Sequence, residues 1–116
     1  MNGVLTLDAL AVPLRALRLL AVDFGHLPAP ALDVSTIFPN RLVLSLHGTT
    51  VGESFAAFEQ WRHALNIEPD AVDFHVQSGG RAAALEAHGT YGGADIELVA
   101  YAAVPQAADT GAGVAA

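Results

Sequence analysis

Residues 75–101, HVQSGGRAAALEAHGTYGGADIELVAY, hold two Gly-Gly pairs set between runs of alternating residues. Glycine beside Ser78 and Arg81 raises two readings, a loop that cradles a phosphate or a tight turn. A phosphate loop needs a longer glycine run that ends in Lys-Ser/Thr and opens a helix. QSGGR has no lysine and sits between two strand-like runs, so the turn reading is the better one. If Gly79-Gly80 are the central residues of a hairpin, Ser78 opposes Arg81, His75 opposes Ala84, Phe74 opposes Leu85 and Asp73 opposes Glu86. Val72, Phe74 and Val76 then share a face with Ala83, Leu85 and Ala87. Asp73, His75 and Gln77 share the other with Ala84, Glu86 and His88. A slip of one residue would bury Glu86, which supports this register.

Gly92-Gly93 passes the same test. Tyr91 opposes Ala94, His88 opposes Glu97, Ala87 opposes Leu98 and Leu85 opposes Ala100. Two turns, each read on its own, assign the middle strand the same inside and outside. The stretch is therefore an antiparallel three-stranded meander.

Working outward, TTVGESFAAFEQWRHALNIEPD reads as a helix. Thr50 and Glu53 have capping-box spacing, and Val51, Phe55, Phe58, Trp61 or Arg62, and Leu65 form an apolar stripe. Trp61 belongs to the core or the stripe edge, and Pro69 lies beyond the end. Before it, DVSTIFPNRLVLSLHG reads as a hairpin around Pro39-Asn40. Leu42, Leu44 and Leu46 form the buried side of one strand. A three-residue loop opposes them with Phe38, Thr36 and Val34; a two-residue loop would offer Ile37 and Ser35 and bury less apolar surface. Residues 7–24 read as the first helix, with Leu10, Leu14, Leu17 and Leu20 or Ala21 at helical spacing. Pro13 either occupies the first turn of a helix starting at Val12 or kinks a longer one. LPAPAL then forces an extended path.

These elements predict an α+β fold: two amphipathic helices on one face of a curved, mainly antiparallel five-stranded sheet, in the order α-β-β-α-β-β-β. The helices are expected to bury Leu17, Leu20, Phe55 and Phe58 against Leu44, Phe74, Leu85 and Leu98. Strand order across the sheet is left open, because the helical crossover permits more than one arrangement. Residues 1–104 are expected to form a single domain and 105–116 a disordered tail of small residues.

Composition bounds the function. The 116 residues are 53% hydrophobic and 15% charged, enough to fill a core. Absence of cysteine excludes disulfides, thiol nucleophiles and cysteine zinc sites. The formal charge is −7, and the five basic residues are scattered arginines: Arg15, Arg18, Arg41, Arg62 and Arg81. Such a chain repels polyanions, so neither nucleic acid nor an anionic membrane is an expected partner. The N-terminal apolar stretch is interrupted by Asp8, Arg15 and Arg18 and has no preceding positive charge, unlike a signal peptide. No apolar run approaches the ~18 residues of a membrane span. A soluble cytoplasmic protein is the expectation, and the lysine-free, alanine-rich composition fits a GC-rich bacterial genome.

Chemistry is sparser. The face of the sheet away from the helices is predicted to carry His47, His75 and His88 with Glu86, Glu97 and Asp73. Imidazole beside carboxylate serves zinc, iron or acid–base work. Such pairs are also common on the wet face of an antiparallel sheet, and no His-x-His or HExxH spacing is present. Those five residues, His47, His75, His88, Glu86 and Glu97, are the metal candidates. No nucleophile elbow and no cofactor motif occurs, so no catalytic set and no cofactor is assigned. His26 and His63, at a helix end and on a helix flank, look structural or solvated. Val43, Ala82, Ala84, Val99 and Tyr101 make the open face partly apolar and are the candidate interface. The expected function is a small acidic non-catalytic binding or assembly module. It would engage a protein partner, or itself, through the open sheet face or a sheet edge. The alternatives are a metal-binding or acid–base enzyme on the outer face, or a small-molecule pocket between helices and sheet with Trp61 or Tyr101 at its mouth.

Overall fold

The computed structural model describes residues 5–48, 51–77 and 82–103. A 3-10 turn, Leu7–Leu10, leads into α1 (Ala11–Asp23). Then come β1 (Ala31–Val34), β2 (Arg41–His47), α2 (Val51–Ala64), a 3-10 turn at Pro69–Ala71, β3 (Asp73–Gln77), β4 (Ala82–Tyr91) and β5 (Ala94–Ala103). The α+β class and the element order are those read from the sequence. The strands form one five-stranded sheet in the order β1-β2-β5-β4-β3. β2 and β5 run parallel, and the other three pairings are antiparallel.

The meander has the expected registers. Tyr91 pairs Ala94, His88 pairs Glu97 and Ala87 pairs Leu98, while Phe74 pairs Leu85 and Asp73 pairs Glu86. Gly92 and Gly93 have φ of 59° and 85°, the two positive values a type I′ hairpin turn requires. The Gly79-Gly80 turn, with Ser78 and Arg81, lies outside the described residues, as do Thr50 of the capping box and the 105–116 tail.

The helices cover one face. Ala16 and Leu20 of α1 and Phe58 and Trp61 of α2 share a core with Leu42, Leu44, Leu46, Ile96 and Leu98. β5 is central because its C-terminal half is apolar on both faces: Leu98, Val99, Ala100 and Ala102 are all buried. A strand flanked on both sides can use such a run, whereas an edge strand would expose it. β5 therefore lies between the two hairpin units, and α2 supplies the crossover.

α2 ends in a Schellman motif. Asn66 takes a left-handed φ of 61°, its N–H donates to the His63 carbonyl at 3.1 Å, and the Ile67 N–H donates to the Arg62 carbonyl at 3.1 Å.

Three details differ from the sequence expectation. The strand before β2 is Ala31–Val34, so Val34 pairs Leu42 and Leu32 pairs Leu44. Val34 keeps its face, but the connection is longer because residues 35–40 satisfy themselves locally: the Ile37 N–H donates to Ser35 Oγ and the Arg41 N–H to the Phe38 carbonyl. In α1 the buried stripe is Pro13, Ala16 and Leu20, with Leu14 exposed. Pro13 sits in the first turn, where its missing N–H has no helical acceptor to lose. Phe74 faces the helix side but is 58% exposed, because β3 lies at the margin of the cover of α2, where the Phe55 and Phe74 rings meet at right angles.

Candidate functional site

Strand pairing turns the outer face into a grid. One row across it is His47, Tyr101, Ala84 and His75; the next is Ser45, Val99, Glu86 and Asp73; the third is Val43, Glu97 and His88; the last is Arg41, Asp95 and Thr90. Residues two apart on a strand share a face, so each side chain also has neighbours along its own strand.

Glu86 is the centre of a cluster. His88 Nε2 lies 3.1 Å from Glu86 Oε2, and His75 Nε2 lies 3.5 Å from Glu86 Oε1. Ligand atoms of Glu86, His88 and Glu97 all fall within 4.8 Å of one another. Partial burial pushes the Glu86 carboxyl up, but the hydrogen bonds it accepts from His88, His75 and Glu97 hold it below the usual value of 4.5. Arg41 Nη1 stands 3.4 Å from Glu97 Oε1, and its guanidinium lies 4.3 Å over the Phe38 ring.

His75, Glu86, His88 and Glu97 thus converge on the outer face, which the face count alone left open. His47 does not join them: Tyr101 and Ala84 separate it from His75 in the same row, and its ring stacks on Tyr101 at 5.4 Å. Arg41 was missed as a member. Its parity on β2 puts it on the outer face, but only the parallel β2–β5 pairing places it beside Glu97.

The interface candidates are less open than their alternation implies. Ala84 and Val99 are 2% and 4% exposed, leaving Tyr101, at 38%, as the exposed large residue of that set. Apolar surface is greater at the β3 edge, where Phe74 and Val76 are 58% and 55% exposed.

Between α1, β1, β2 and α2 is an apolar pocket of about 210 Å³, lined by Leu20, Phe24, Leu32, Leu44 and Trp61 among others. Trp61 does lie there, with its indole N–H donated to the Pro28 carbonyl at 2.8 Å. Tyr101 belongs to the opposite face. The pocket falls below the roughly 300–1,000 Å³ usual for small-molecule sites.

No helix among the described residues is long and apolar enough to cross a membrane. Comparison with protein-family models, curated proteins and solved structures found no match to this chain.

Proposed function

We propose that this chain is a small acidic assembly module of the cytoplasm that self-associates by pairing β3 with β3 of a second copy. The observation that carries the reading is the edge itself: among the described residues β3 has one unpaired row of backbone groups and bears Phe74 and Val76, each more than half exposed. Natural proteins usually guard such edges with charge, proline or a covering loop. The segment DFHVQ is also self-complementary. An antiparallel two-fold centred on His75 sets Phe74 opposite Val76 of the second copy, an aromatic on a β-branched residue. It sets Asp73 opposite Gln77 and His75 opposite His75 of the second copy, so no two carboxylates meet. Both copies contribute the same patch, as a two-fold interface demands, and the two sheets join into one.

Five residues of edge bury less than the ~1,000 Å² of a durable interface, so the dimer is a weak, concentration-dependent one. Sedimentation velocity over a concentration series tests this directly. The expected result is a monomer–dimer equilibrium that Val76→Lys shifts to monomer while leaving the fold intact. A strict monomer at the highest soluble concentration, or a dimer that Val76→Lys does not weaken, overturns the reading.

A further inference from the structure

We infer that Glu86, His88 and Glu97 form a binding site for one divalent transition metal ion of the zinc type, with His75 as a positioning residue. The three ligands lie on β4 and β5, and only the positioning residue, His75, belongs to the β3 edge.

Three observations converge on it. The first is geometry. His88 and Glu97 are direct cross-strand partners, and Glu86 lies two residues from His88 on the same face. All three project from the paired strands β4 and β5. Zinc takes imidazole nitrogen and carboxylate oxygen at about 2.0–2.2 Å, which puts donor atoms around one ion about 3–4.4 Å apart. His88 Nε2 and Glu86 Oε2 already lie at 3.1 Å, and the whole set lies within 4.8 Å. Small side-chain rotations close the remainder.

The second is the donor set. Oxygen donors alone would suit magnesium or calcium. An imidazole nitrogen beside two carboxylates, with no cysteine in the chain, selects a borderline divalent ion. Three protein ligands on an uncovered sheet face leave the fourth position to water.

The third is charge. By register the outer face carries the carboxylates of Asp33, Asp73, Glu86, Asp95 and Glu97, and among the described strand residues only Arg41 as a permanent cation. Arg41 engages Glu97 Oε1, and the Glu97 carboxyl also hydrogen-bonds with Glu86, which holds it against the cluster. His75 Nε2 engages Glu86 Oε1, which leaves the Oε2 that faces His88. Hydrogen bonds that fix a ligating carboxylate in this way orient it and strengthen binding.

Calorimetric titration of chelator-stripped full-length protein with Zn²⁺ is the test, with metal analysis after dialysis. One zinc per chain is expected, with a rise in melting temperature. Glu86→Gln and His88→Gln should each abolish stoichiometric uptake while circular dichroism shows an unchanged fold. His75→Gln should retain the site but weaken it about 10–100-fold. His63→Gln, on the flank of α2, should change nothing, and Val76→Lys should disturb dimerisation while one zinc per chain is retained. Absence of stoichiometric uptake overturns the inference. So does uptake that survives His88→Gln, or equal affinity for Mg²⁺ or Ca²⁺.

Discussion

The indole nitrogen of Trp61 donates to the carbonyl of Pro28 at 2.8 Å, joining the middle of the molecule to the segment that feeds β1. Prolines 28 and 30 cannot donate backbone hydrogen bonds, so this segment depends on what its carbonyls accept. Phe24 packs edge-on to the same indole at 6.2 Å.

Replacing Trp61 by Phe keeps an aromatic ring in the core and removes this donor. The loss of one hydrogen bond, together with some ring volume, should cost about 1–2 kcal/mol. Urea denaturation followed by circular dichroism measures it. An unchanged midpoint would mean that the bond does not anchor the segment.

Ser54 was not singled out by sequence, yet it is 1% exposed. Its hydroxyl reaches the Leu46 carbonyl at 3.1 Å and the Tyr101 carbonyl at 2.9 Å, near the ends of the two parallel strands. Ser54→Ala should destabilise by about 1–2 kcal/mol, since the one hydroxyl proton that the Leu46 and Tyr101 carbonyls share is removed. Amide hydrogen exchange should accelerate first at the C-terminal ends of β2 and β5.

Gly92 and Gly93 are equivalent in sequence but not in space. A Cβ on Gly92 would stand 3.0 Å from Leu19 Cδ1 and 3.3 Å from Ala16 Cα, whereas one on Gly93 would meet only Arg15 Nη2 at 3.6 Å. Gly93→Ala should therefore cost about 1–2 kcal/mol of left-handed strain. Gly92→Ala should cost about 1–3 kcal/mol more, because α1 is displaced as well. Equal losses in thermal unfolding would refute the close seating of α1 on this turn.

Glu86 makes the acid limb of stability specific. Its folded-state carboxyl lies below the usual 4.5, with partial burial opposing and the His88 and His75 hydrogen bonds prevailing. A carboxyl lowered on folding stabilises the native state above its unfolded value and loses that contribution as pH falls through its folded value. Stability should thus drop from about pH 5 downward, and Glu86→Gln should show a shallower decline. Urea midpoints measured from about pH 6 to about pH 3 provide the comparison. Parallel curves would show that Glu86 is not held by its neighbours.

What the sequence determined by itself was local. Gly-Gly turns with alternating flanks specify the meander registers, since a one-residue slip would bury Glu86, and those registers place His75, Glu86, His88 and Glu97 on one face. Trp61 in the core was legible for the same reason, since the cause lies within a few residues, whereas Pro13 fitted a first turn or a kink and the structure puts it in the first turn. The tertiary structure alone decided what non-local burial selects. Alternation does not say which strand lies beside which, so β2 beside β5, Arg41 beside Glu97 and the isolation of His47 could not be read from spacing. Nor could the exposure of Phe74 and Val76. Their alternation marks an inner face, but only the reach of α2 decides whether that face is covered, and at β3 it stops short.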